Sequence, residues 1–86
     1  MSVDVKVRLF AGLKELVGGG EIAVHLNEGA TVGDLEGRLA SDYPRLKPLL
    51  SSLAFAVDEE YRARDFVLHE NDILALIPPI SGGNNV

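Results

Sequence analysis

Cysteine is absent from this 86-residue chain. That excludes disulfides, thiolate nucleophiles and thiolate metal ligands, and it leaves the redox compartment unspecified by this route. Tryptophan is absent too, and aromatics make up only 6% of the residues, so the core has to be aliphatic. Positive charge is scarce: eight Lys and Arg stand against thirteen Asp and Glu, a formal charge of −5. The basic residues are scattered as Lys6, Arg8, Lys14, Arg38, Arg45, Lys47, Arg62 and Arg64. This argues against a nucleic-acid partner, which needs Lys and Arg gathered on one face. No apolar run approaches the length of a membrane span, and no targeting pattern precedes the first strand signal. The expectation is a cytoplasmic chain with no membrane partner.

What is present fits one small domain with a single core. Val3, Val5, Val7 and Leu9 alternate with Asp4, Lys6, Arg8 and Phe10, which predicts a half-buried strand. Residues 11–17 are expected to form a helical turn or two, ended by Gly18-Gly19-Gly20. Ile22, Val24 and Leu26 predict a second strand, antiparallel to the first. Thr31 stands three residues before Asp34 in the pattern of a capping box, and Val32, Leu35 and Leu39 follow at helical spacing. The main helix is therefore expected over residues 31–42, stopping before Pro44. Gly33 and Gly37 are expected to let it approach the sheet closely. Residues 45–53 predict a short helix or apolar cover, residues 54–57 a short strand, and residues 73–77 a last strand.

A hairpin, a helix across it and a last strand returning to the sheet centre form an α+β, β-grasp arrangement, with one main helix on one face of a mixed sheet. The domain is expected over residues 1–77 and a tail over residues 78–86. In the last strand all five residues are apolar. Ile73, Ala75 and Ile77 are expected to face the helix, which leaves Leu74 and Leu76 on the outer sheet face as a partner-binding surface. Phe10 and Tyr61 are expected to anchor that surface.

The chain then runs Pro78-Pro79-Ile80-Ser81-Gly82-Gly83-Asn84-Asn85-Val86. Two prolines end the strand and favour extended backbone. Two glycines can pass through a channel too narrow for a side chain. From Pro78 to Gly83 the reach is about 20 Å. These features read as a tail built to enter a partner.

The segments Val7-Arg8-Leu9-Phe10-Ala11-Gly12-Leu13-Lys14-Glu15-Leu16, Thr31-Val32-Gly33-Asp34-Leu35, Ala56-Val57-Asp58 and Asn71 through Gly83 resemble the ubiquitin-like sulfur-carrier family. The apolar strand, Pro-Pro, short spacer and Gly-Gly resemble its molybdopterin synthase branch more than its thiamine branch. The resemblance implies that an ATP-dependent adenylating enzyme activates the carboxylate of Gly83, which then becomes a thiocarboxylate. It implies that Pro78, Pro79, Ile80 and Ser81, with Gly82 at the narrow passage, insert into the large subunit of molybdopterin synthase, where sulfur passes to a cyclic pterin precursor. The carrier would bind no cofactor or metal itself, with ATP used by the activating partner. The family commonly ends at Gly-Gly, whereas Asn84-Asn85-Val86 follow here, so the resemblance also implies a protease that removes them. Asp58 stands where the family often has Asn.

Two other readings remain. A ubiquitin-like modifier would join Gly83 to lysines of other proteins, and a non-catalytic interaction module would use Gly-Gly only as an end. Gly18-Gly19-Gly20 lacks the Lys-Ser/Thr of a phosphate loop and reads as a turn. His25 and His69 lack metal-ligand spacing, and His25 is expected on the solvent face. Asp58-Glu59-Glu60 with Asp65 reads as a solvated patch or a docking surface for a basic face.

Overall fold

Val3, Val5, Val7 and Leu9 are buried on strand β1 (Ser2–Leu9), while Ser2, Asp4, Lys6 and Arg8 between them are exposed. Burial at every second residue means that one face of the sheet is covered. The computed structural model describes residues 1–10 and 12–78. Helix α1 (Gly12–Val17) leads into strand β2 (Glu21–Asn27), which pairs antiparallel with β1 so that Val5 lies opposite Val24. Gly18 closes α1 at φ 84°, with its N–H donating to the Lys14 carbonyl at 2.9 Å. A side chain disfavours that left-handed conformation, so glycine belongs there. The glycine run is the turn the sequence suggests.

Helix α2 (Val32–Asp42) begins with the expected capping box. The Asp34 N–H donates to Thr31 Oγ1 at 3.2 Å, and the Thr31 N–H donates to Asp34 Oδ2 at 2.9 Å. The first two helical N–H groups are satisfied from elsewhere: Val32 donates to the Phe66 carbonyl and Gly33 to the Arg64 carbonyl, at 2.9 and 2.8 Å. All the donors that a free helix start would offer to an anion are thus occupied from within the chain. Val32, Leu35 and Leu39 are fully buried against the sheet. The helix gives way at Tyr43, just before Pro44. Helix α3 (Lys47–Leu50) is shorter than expected, with Leu46, Leu50 and Leu53 buried around it.

Strands β3 (Ala54–Val57), β4 (Glu60–Tyr61) and β5 (Ile73–Ile77) complete a sheet of order β2-β1-β5-β3-β4. β5 lies at the centre, parallel to β1 and antiparallel to β3. This is the α+β, β-grasp arrangement, with α2 on one face. Among the described residues, no buried residue is polar or charged.

Two expectations are corrected. β5 presents the opposite face from the one predicted: Leu74 and Leu76 have no exposure at all, and Ile73, Ala75 and Ile77 lie on the outer side. The register explains it. Leu74 is level with Val7 and Leu76 with Leu9 on β1, and level with Val57 and Phe55 on β3. Side chains level with one another on paired strands share a face, and those of β1 point into the core. The second correction concerns the helix glycines. A Cβ at Gly33 would meet the Arg64 carbonyl oxygen at 3.3 Å, and one at Gly37 would meet nothing within 4 Å. Gly33 thus accommodates the loop after β4, not the sheet, and Gly37 serves no close approach.

Candidate functional site

The uncovered side of the sheet divides into two halves. On β2 and β1 it is mostly charged or polar, with Glu21, His25, Asp4, Lys6 and Arg8 exposed around Ala23. On β5, β3 and β4 it is apolar, formed by Ile73, Ala75, Ile77, Ala56 and Tyr61, with Phe10 at the end of β1. Together with Arg8, Asp58 and Glu59 these line a shallow concavity of about 540 Å³. Phe10 is 48% exposed and Tyr61 70%, far more than a core aromatic retains, because neither has a layer above it.

Phe10 thus stands on the outer face as the alternation suggested, and Tyr61 stands there with it. Leu74 and Leu76 do not join them, and Ile73, Ala75, Ile77 and Ala56 take their place. The signal that finds these residues is their register with Lys6 and Arg8. β5 alone, apolar at every position, does not carry it.

The tail begins at one end of this surface. Leu76 is level with Leu9, so Ile77 comes level with Phe10, and β3 begins alongside because Ala54 pairs with Ile77. Pro78 is half-buried and lines a depression with Ser51, Ser52, Arg62 and Arg64. Pro79, Ile80, Ser81, Gly82 and Gly83 lie outside the described residues, as do residues 84–86.

The acidic group has structural duties. Asp58 and Glu59 are the two turn residues between β3 and β4, both at positive φ, 50° and 76°. Asp58 also ties the turn to β5: its N–H donates to the Ile73 carbonyl at 2.8 Å, and its Oδ1 accepts from the Ile73 N–H at 3.3 Å. Glu60 pairs with Arg62 at 2.7 Å. The histidines are apart: His25 Nδ1 pairs with Asp4 Oδ1, and His69 Nδ1 lies 3.9 Å from Asp72 Oδ2. Among the described residues no three His, Cys, Asp or Glu side chains converge as metal ligands, and no helix is long and apolar enough to cross a membrane. The described surface therefore offers contact area and an anchored tail base.

The chain is 37% identical over 82 residues to the molybdopterin synthase sulfur carrier subunit of Arabidopsis thaliana, covering 95% of this chain and 85% of that protein. Its fold matches a Pyrococcus furiosus protein provisionally assigned as molybdopterin converting factor subunit 1, with a TM-score of 0.84 and 29% identity over 91% of this chain and 99% of that one. It also matches the small archaeal modifier protein 1 of H. volcanii, with a TM-score of 0.83 and 28% identity over 91% and 99% of the two chains. The model of the ThiS family fits residues 7–83, from the middle of β1 through the second glycine of the Gly-Gly pair. With that span matched and its relatives this similar, the chain belongs to the ThiS family.

Proposed function

We propose that this chain is the sulfur carrier subunit of a molybdopterin synthase, with residues 1–77 as the docking domain and residues 78–86 as the tail. The observation that carries this reading is the family match running through Gly83, joined to 37% identity with a carrier of that name over nearly the whole chain. A protease first removes residues 84–86 and frees the Gly83 carboxylate. One carboxylate oxygen attacks the α-phosphorus of ATP bound by an adenylating enzyme, and pyrophosphate leaves. A hydrosulfide ion then displaces AMP, and loss of the remaining proton leaves a thiocarboxylate. Sulfur passes to a cyclic pterin precursor in the large subunit, which docks on the outer sheet face around Phe10, Tyr61, Ile73 and Ile77. Pro78 and Pro79 direct the tail, Ile80 and Ser81 line it inside that subunit, and Gly82 occupies the narrow passage. The carrier holds no cofactor of its own. It works in the cytoplasm, where ATP is supplied to the activating partner.

The test is the intact mass of the protein isolated from its native cells. The expected species ends at Gly83, with one oxygen replaced by sulfur in part of the sample. A uniform chain that retains residues 84–86 sinks the proposal, since Gly83 then never presents a free carboxylate.

A second reading is favoured by the likeness to the small archaeal modifier protein. Activation is shared and the acceptor differs: a lysine amine displaces AMP and forms an isopeptide bond. Peptide mapping of high-mass conjugates for a lysine bearing the Gly83 terminus separates the two. A thiamine-type carrier would follow the same activation and fail to restore molybdopterin formation in cells lacking their own carrier. An interaction module would keep its partner after deletion of residues 83–86.

A further inference from the structure

The apolar half of the outer face carries charge of both signs, on opposite sides. By strand order Ala75 and Ala56 occupy the middle, on β5 and β3. Arg8 and Phe10 lie to the β1 side. Asp58 and Glu59, in the β3–β4 turn, and Tyr61, on β4, lie to the other. Arg8 and Glu59 are exposed, and neither belongs to an ion pair among the described residues.

A rim of one sign would point to a partner of the opposite sign. This rim is instead complementary to itself, which is what a two-fold contact requires. An axis lying in the plane of the sheet, passing between Ala75 and Ala56 and oblique to the strands, sets Arg8 of one copy against Asp58 and Glu59 of the other. The same axis sets Phe10 against Tyr61. The alanines at the centre let the two sheets approach, and the aromatics close over them on each side.

We propose that a second copy of this chain covers the apolar outer face, through a two-fold contact pairing Arg8 with Asp58 and Glu59. This does not rest on the sulfur-carrier reading, since it concerns only the folded domain; the second copy occupies the face in the free chain and gives way when the large subunit docks there. Such a contact is small, so the expected dissociation constant is on the order of 10–100 μM.

Sedimentation equilibrium of the full chain tests it, with the variants R8E and E59R. The wild-type mass should rise from monomer to dimer with concentration. Each variant alone sets like charges against each other and should dissociate at least about tenfold more readily. Mixed together, the two variants restore both ion pairs across the two-fold, one as in the wild type and the other with its charges exchanged. The mixture should form a heterodimer tighter than either variant alone and weaker than the wild-type dimer, because Asp58 of the E59R copy still faces the carboxylate that R8E introduces. That recovery also shows that both variants are folded. A wild-type chain monomeric up to about 1 mM, where a contact of this strength is mostly dimeric, overturns the proposal. So does association that R8E leaves unchanged, or a mixture no tighter than its components.

Discussion

Arg64 Nε donates to Glu36 Oε1 at 2.9 Å, tying the loop after β4 to helix α2. The same guanidinium donates to the Leu50 carbonyl at 3.2 Å and lies 4.7 Å from the centroid of the Phe55 ring. One side chain thus links that loop, both later helices and the inner face of β3. The ion pair is partly exposed and is worth little alone. The carbonyl left without its donor and the lost cover on Phe55 add to it. Replacing Arg64 by Ala should cost about 1–3 kcal/mol, read from the urea midpoint. A lysine at this position cannot span Glu36 and the Leu50 carbonyl with one planar group, so Arg64→Lys should recover less than half of the loss.

The β3–β4 turn is a site for gain. Two consecutive residues at positive φ mark a type I′ hairpin, for which Asn-Gly is the favoured pair. Asp58 tolerates its position and holds the Ile73 N–H in return. Glu59, at φ 76°, makes no side-chain hydrogen bond among the described residues to set against the strain. Glu59→Gly should raise stability by about 0.5–1 kcal/mol. Thermal unfolding followed by circular dichroism would register it, and an unchanged or lower midpoint would contradict this account.

The two glycines of α2 should answer differently to alanine. Gly37 has open space around it, so Gly37→Ala should stabilise by about 0.5–1 kcal/mol through helix propensity alone. At Gly33 the new methyl would press on the Arg64 carbonyl, to which the Gly33 N–H already donates. Gly33→Ala should gain less than Gly37→Ala or lose stability outright. Equal gains at both sites would show that the loop gives way freely.

The two sides of β5 separate folding from docking. Leu74→Ala removes a fully buried side chain from the core and should cost about 2–5 kcal/mol. Ile73, 41% exposed on the outer face, should cost under about 1.5 kcal/mol on change to Ala. Ala75→Asp should leave the fold intact and abolish large-subunit binding, measured by calorimetry, because it places a charge at the centre of the proposed contact. Similar losses at Leu74 and Ile73 would mean that β5 faces both ways equally.

Much of this architecture is legible in the chain because local signals agree with the final packing. β1 alternates strictly, and Thr31 with Asp34 announces the start of α2 on two residues alone. Four strands and the main helix follow from such patterns. The orientation of β5 does not. Five consecutive apolar residues fit either face, and only pairing with Val7 and Leu9 on a distant strand decides between them. Gly33 misleads for a related reason: the group it makes room for, the Arg64 carbonyl, comes from a loop about thirty residues further along the chain. In the candidate site, Phe10 could be found from parity and Tyr61 from its bulk beside a polar turn, whereas Ile73, Ala75 and Ile77 needed the register.

β5 is both the central strand and the one from which the tail departs. It is bonded along its length on both sides, to β1 in parallel and β3 in antiparallel register. A pull on Pro78 therefore runs along these ladders and loads their hydrogen bonds together in shear. A tail issuing from an edge strand would peel them apart one after another. The domain is thus a mechanical anchor for any load that reaches it through Pro78, because the core ladders share that load.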